Sequence, residues 1–95
     1  MTAEKFESAC IAWLAQKQAP SDQFAQLVEQ AFAVLGMFQR DLATEYEVAI
    51  STISRWAKGT ARPHPLLQKQ IVKSLAQRNH EALQHDHRVG RLHRR

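Results

Sequence analysis

Apolar residues recur along this chain at helical spacing. Phe6, Cys10, Trp13 and Leu14 fall at i, i+4, i+7 and i+8, which predicts an amphipathic helix over 2–18 with Thr2 as its cap and Glu4 near its positive end. The stretch Ala19-Pro20-Ser21-Asp22 breaks that helix, because proline disfavours helix in the residue before it, and Ser21 or Asp22 can cap the next helix. Phe24, Leu27, Val28, Ala31, Phe32 and Leu35 then form the stripe of a second helix from about Asp22 to Leu35, which Gly36 ends in a left-handed conformation. Two short helices come next, within 39–59. The first carries Leu42 and Tyr46, with Phe38 one turn earlier on the same face and Ala43 beside them. The second begins near Ala49 or Ile50 and ends at Gly59. On its wheel Trp56, Ala49, Ala57 and Ile50 lie within about 60° of Ile53, while Ser51, Ser54, Arg55 and Lys58 lie opposite. Two prolines stiffen the loop 60–65, and Pro65 suits the first turn of a last helix with Leu67, Ile71 and Leu75 on one face. Its apolar pattern thins beyond Leu75, so its end is expected near 86. No strand pattern is present. The expectation is an all-α, compact bundle of about five helices forming one domain over 1–87, followed by a basic, disordered tail over 88–95.

Charge sharpens this picture because it is unevenly placed. The net charge is +4, yet residues 1–38 set Lys5 and Lys17 against Glu4, Glu7, Asp22 and Glu29, a balance of −2. Residues 39–95 hold eleven Lys or Arg against five acids, a balance of +6. The basic half contains the two short helices and suggests a polyanionic partner on one side of the molecule. One cysteine, Cys10, excludes an internal disulfide. No apolar run reaches the length of a signal-peptide core or a membrane span, so a cytoplasmic protein without membrane contact is expected. With 95 residues, a second domain holding a small-molecule effector is not expected.

The segment 39–59 resembles the helix-turn-helix of phage-repressor and Cro-type (XRE-like, lambda-repressor-like) transcriptional regulators. The residues that carry the likeness are Gln39, Leu42, Ala43, Val48, Ser51, Thr52, Ile53, Ser54, Arg55, Trp56 and Gly59. Ala43 fits a site where the helices nearly touch. Two positions depart from the family. Glu47 stands where a glycine usually begins the turn, so it must accept a left-handed conformation or reshape the turn, at about 1 kcal/mol. Phe38 stands where Ser or Thr usually caps the first helix of the pair. The helix 2–18 is an addition to the family pattern, and its stripe must be buried against the same core or another subunit.

The resemblance implies a sequence-specific regulator of transcription, a repressor binding double-stranded DNA as a homodimer on a near-palindromic operator, with the 50–58 helix in the major groove. Arg55 and Ser51 centre the polar face and are the candidate base readers, arginine toward the guanine acceptors and serine as donor or acceptor. Thr52 and Ile50 flank them, and Ile50 is poised between a thymine methyl and partial burial. Gln39, Ser54, Lys58, Thr60 and Arg62 are the candidate backbone contacts, with structural support competing for Gln39 and simple solvation for Lys58, Thr60 and Arg62. Trp13 and Trp56 sit on apolar faces and read as core rather than stacking platforms. His80, His85, His87 and His93 lack a third well-placed ligand, so no metal and no cofactor are expected. No nucleophile stands with a base at a recognisable spacing and no glycine-rich phosphate loop exists, so an enzyme is not expected. Two other classes remain open: a module, such as an antitoxin, whose main task is to bind a partner protein, and a nonspecific nucleic-acid binder driven by the Arg-rich tail.

Overall fold

The computed structural model describes the backbone of residues 1–93 and side chains as far as Gln84. The chain is all-α, with five helices in the order α1 (Ala3–Leu14), α2 (Ser21–Leu35), α3 (Gln39–Glu45), α4 (Ile50–Lys58) and α5 (Pro65–His93). The expectations for His85, His87, His93 and the basic tail, 88–95, lie outside the described side chains.

Helices α1, α2 and α5 pack on one another, and α4 packs on α2 and α3. Phe6, Cys10, Trp13, Phe24, Val28, Leu42, Ile53, Ile71 and Leu75 meet in one core to which all five helices contribute, where each fully buried large side chain contributes about 1.5–3 kcal/mol. The stripe of α1 is therefore consumed inside its own chain. Trp13 also spans the break after α1: its ring packs 6.1 Å from that of Phe24, and its Nε1–H donates to the Pro20 carbonyl at 3.0 Å.

The first helix is shorter than the expected 2–18. It starts as anticipated, with Thr2 Oγ1 accepting the Lys5 amide, but the helix stops at Leu14. Beyond it the chain approaches Pro20, which has no amide hydrogen to give the Gln16 carbonyl, and Lys69 of α5 donates its ammonium instead to the carbonyls of Leu14 (3.1 Å) and Gln16 (2.6 Å). The ammonium also lies 5.1 Å over the Trp13 ring. At the start of α2 neither Ser21 nor Asp22 caps; Pro20 holds the cap position with no side-chain hydrogen bond. Pro65 opens α5 as expected, and His64 caps it, Nδ1 accepting the Leu66 amide at 3.1 Å. The backbone of helix α5 spans Pro65–His93, with its side chains described to Gln84. Past Leu75 it remains docked: buried Asn79 donates to the Ala3 carbonyl at 2.8 Å, and His80 contacts Glu7.

Phe38 does not continue the apolar face of Leu42 and Tyr46. It sits at the cap position of α3, 63% exposed. Having no side-chain acceptor of its own, it is served by Asp41, whose Oδ2 accepts the Phe38 amide at 2.7 Å.

Three helices end in the same hydrogen-bonded closure. The Met37 amide returns to the Phe32 carbonyl after α2, the Val48 amide to Ala43 after α3, and the Thr60 amide to Arg55 after α4. Each closure needs one left-handed residue. Gly36 and Gly59 supply it at φ 64° and 77°, and Glu47 supplies it at φ 54°. Glu47 thus accepts the left-handed conformation within the four-residue turn between α3 and α4.

Candidate nucleic-acid interface

Helix α4 is held by its apolar side. Ile53 is fully buried and Trp56 nearly so, both against the core beneath α2. That anchorage turns the opposite face outward. Ser51, Arg55 and Lys58, at i, i+4 and i+7, are exposed on it, with Thr52 and Ser54 half-buried at its borders. Ile50 belongs to the outward side: it is 53% exposed in the first turn of α4. The face combines one large apolar group, hydroxyls and two cations, and α4 holds no acid.

Thr60 and Arg62 lie in the loop after it, both exposed. The Thr60 hydroxyl donates to the Arg55 carbonyl at 3.4 Å, so it partly closes the helix end. Gln39 is half-buried at the first position of α3, on the neighbouring helix rather than on the α4 face. A groove of about 480 Å³ lies between α2 and residues 57–62, with Asp22 and Glu29 on its α2 wall and Lys58 and Arg62 on the other. The α2 acids thereby offset part of the field of these two cations.

The acids of the helix pair are mostly engaged. Asp41 caps α3. Glu45 is ion-paired with Arg78 of α5 and accepts the Ser74 hydroxyl at 3.2 Å. Glu47 alone of the three has no partner among the described residues. By contrast Arg40, Arg55, Lys58 and Arg62 are all exposed and outside any ion pair among the described residues. Of the three acids only Glu45 has its charge neutralised by an ion pair, and its partner Arg78 lies outside 39–62, so Arg40, Arg55, Lys58 and Arg62 face two unpaired carboxylates, Asp41 and Glu47, within this segment.

Two features were not foreseen from the sequence. Arg40 lays its guanidinium 5.1 Å from the centre of the exposed Phe38 ring. The signal for this was present, an aromatic at the cap position with an arginine two residues on, but helical periodicity assigned Phe38 to the core face. The Arg78–Ser74–Glu45 cluster had no sequence signal, since α5 supplies its partners from about thirty residues away. Trp13 and Trp56 are buried, as their faces predicted. The Cys10 thiol is buried in α1, away from this face, and burial, aided by the nearby charge of Glu7, pushes its pKa up to about 11.

The fold and the face together define an all-α protein that presents a short, cationic, hydroxyl-bearing helix on an apolar mount. No family model, curated protein or solved structure matches the chain. Among the described residues no helix is long and apolar enough to cross a membrane.

Proposed function

We propose that this protein is a sequence-specific DNA-binding regulator, acting as a repressor that blocks polymerase by occupying a short operator. The observation that carries the reading is the outward face of α4, where Ile50, Ser51, Arg55 and Lys58 are exposed on a helix anchored through Ile53 and Trp56 and free of acids. The likeness of segment 39–59 to repressor-type helix-turn-helix sequences supports the same reading. In it, α4 enters the major groove. Arg55 holds guanine O6 and N7, Ser51 and Thr52 bond neighbouring base edges, and Ile50 meets a thymine methyl. Gln39, Ser54, Lys58, Thr60 and Arg62 contact the sugar-phosphate backbone, with Arg40 beside Phe38 as a further cation there.

One α4 reads too few bases for a unique site, so the active form is a homodimer on two half-sites about 34 Å apart. Phe6 and Trp13 lie in the core of their own chain. The second copy must therefore use α5 or the outer side of α1, where Ile11 is 59% exposed.

The test is selection of DNA from a random pool, followed by titration of the best site at several salt concentrations with wild type and Arg55→Ala. The expected result is an enriched near-palindrome, with Arg55→Ala costing about 1–3 kcal/mol and relaxing preference at one base pair. If no sequence is enriched and affinity follows salt alone, the specific regulator is refuted, and a nonspecific nucleic-acid binder or a protein-binding module takes its place.

A further inference from the structure

Helix α3 is the least embedded element of the fold. Its backbone packs broadly on α4 alone, and of its seven residues only Leu42 and Ala43 are buried, both in the common core. Its side-chain hydrogen bonds and ion pair with the long helix gather at Glu45. The Arg78 guanidinium pairs with one oxygen of Glu45, Ser74 donates to the other, and Arg78 Nη1 also reaches Met37 Sδ at 3.8 Å in the connection that leads into α3. One arginine of α5 thus touches the chain on both sides of α3. Locally, Glu45 is misplaced: a carboxylate in the last turn of a helix opposes the partial negative charge there. Helix α3 carries no basic residue in that turn. The favourable partners of this carboxylate come from α5.

We infer that Arg78 is a positioning residue for DNA reading, clamping α3 at both ends so that Gln39 and the α4 face meet the duplex in one register. This inference rests on the regulator reading above. Arg78 itself need not touch DNA; it acts through Glu45 and Met37. Without the clamp α3 keeps its apolar seat through Leu42 and Ala43 but loses the polar contacts at its two ends, and its first residue, Gln39, is freer to move relative to Arg55.

The test uses the full chain with two variants that break the same clamp while changing charge in opposite directions, Arg78→Ala and Glu45→Ala. Bulk electrostatics predicts that losing Arg78 weakens all DNA binding and that losing Glu45 strengthens it. Positioning predicts that both lower the ratio of affinity for the selected site to affinity for scrambled DNA, by about fivefold or more. Amide hydrogen exchange supplies a readout independent of DNA: both variants should speed exchange in 42–48 and leave 24–31 of α2 unchanged. Glu45→Ala also removes the clash with the helix end and adds helix propensity, so it should keep the thermal midpoint near that of wild type. Arg78→Lys, which can restore the pair to Glu45, should recover part of the discrimination.

Unchanged exchange in 42–48 overturns the clamp. Faster exchange with an unchanged discrimination ratio leaves Arg78 a merely structural group and overturns its reading role. A wild type that selects no sequence overturns the regulator reading, and the reading role of Arg78 with it, whatever the exchange shows.

Discussion

Replacing Glu47 by glycine should stabilise the protein, and the three matched helix ends allow the size of the effect to be worked out. Helices α2, α3 and α4 close through the same return hydrogen bond, yet only α3 places a residue with a side chain in the left-handed position, at φ 54° against 64° for Gly36 and 77° for Gly59. An L-residue there costs about 1–2 kcal/mol through the clash of its Cβ with the following carbonyl. Glycine returns part of this, about 0.5–1 kcal/mol, as extra freedom of the unfolded chain. The net expectation is a gain of about 0.5–1 kcal/mol, or a rise of roughly 2–8 °C in melting midpoint for a domain of this size. Urea unfolding measures it, with an unchanged slope as the sign that the same transition is compared. Because Glu47→Gly also removes a charge, the decisive comparison is with Glu47→Ala, which removes the same charge but keeps the Cβ. The glycine variant should exceed the alanine variant by about 1 kcal/mol, with Glu47→Asn between them because asparagine tolerates this conformation better. A glycine variant no more stable than the alanine variant would refute the claim that the turn holds Glu47 under strain.

Other parts of the structure give equally direct expectations. Ile53→Ala removes the fully buried anchor of α4 and should cost about 2–5 kcal/mol, read by chemical unfolding; a loss below about 1 kcal/mol would mean that α4 is not mounted as described. Lys69→Met keeps the hydrocarbon stem and deletes the ammonium that holds the Leu14 and Gln16 carbonyls; it should cost about 1 kcal/mol and speed amide exchange in the last turn of α1 ahead of the rest of that helix. The raised Cys10 pKa, from 9.0 to about 11, means that burial favours the protonated thiol in the folded state, so its stabilising contribution is complete below pH 9 and is lost as pH rises from 9 to about 11. Stability should therefore fall over that window more steeply in wild type than in Cys10→Ala, and a native thiol that alkylates at neutral pH as fast as the unfolded chain would contradict its burial.

Helical class was legible from the sequence because it depends on spacing that any window of the chain displays. The stripes of α1 and α2, the left-handed Gly36 and Gly59, Pro65 in the first turn of α5 and the two-sided wheel of α4 are all local patterns, decided by residues within a turn or two of each other. The same locality made Ser51, Arg55 and Lys58 readable as one outward face, since the periodicity that buries Ile53 and Trp56 exposes the other side. Where a neighbour distant in sequence intervened, local reasoning lost its hold. Pattern alone could not decide whether Ile50 was partly buried, and the absence of any covering element among the described residues leaves it outside. Periodicity put Phe38 with Leu42, but no described element covers that side of the α3 cap, so the ring rests against Arg40. The early end of α1 goes with a partner that no local pattern contains: Lys69, more than fifty residues away, takes the carbonyls of Leu14 and Gln16.

By itself, then, the sequence determined which segments are helical, which face of each is apolar, and that the second half of the chain is the cationic half. Tertiary structure decided that α1 spends its stripe on its own core, that Glu47 bends to a glycine's conformation, and that Arg78 and Ser74 of α5 take up the carboxylate of Glu45. The division follows from the range of the forces concerned. Helix propensity and amphipathic period are set within one or two turns of backbone, whereas partners for an orphan carbonyl, an ill-placed carboxylate or an exposed ring come only from side chains that folding brings in from elsewhere.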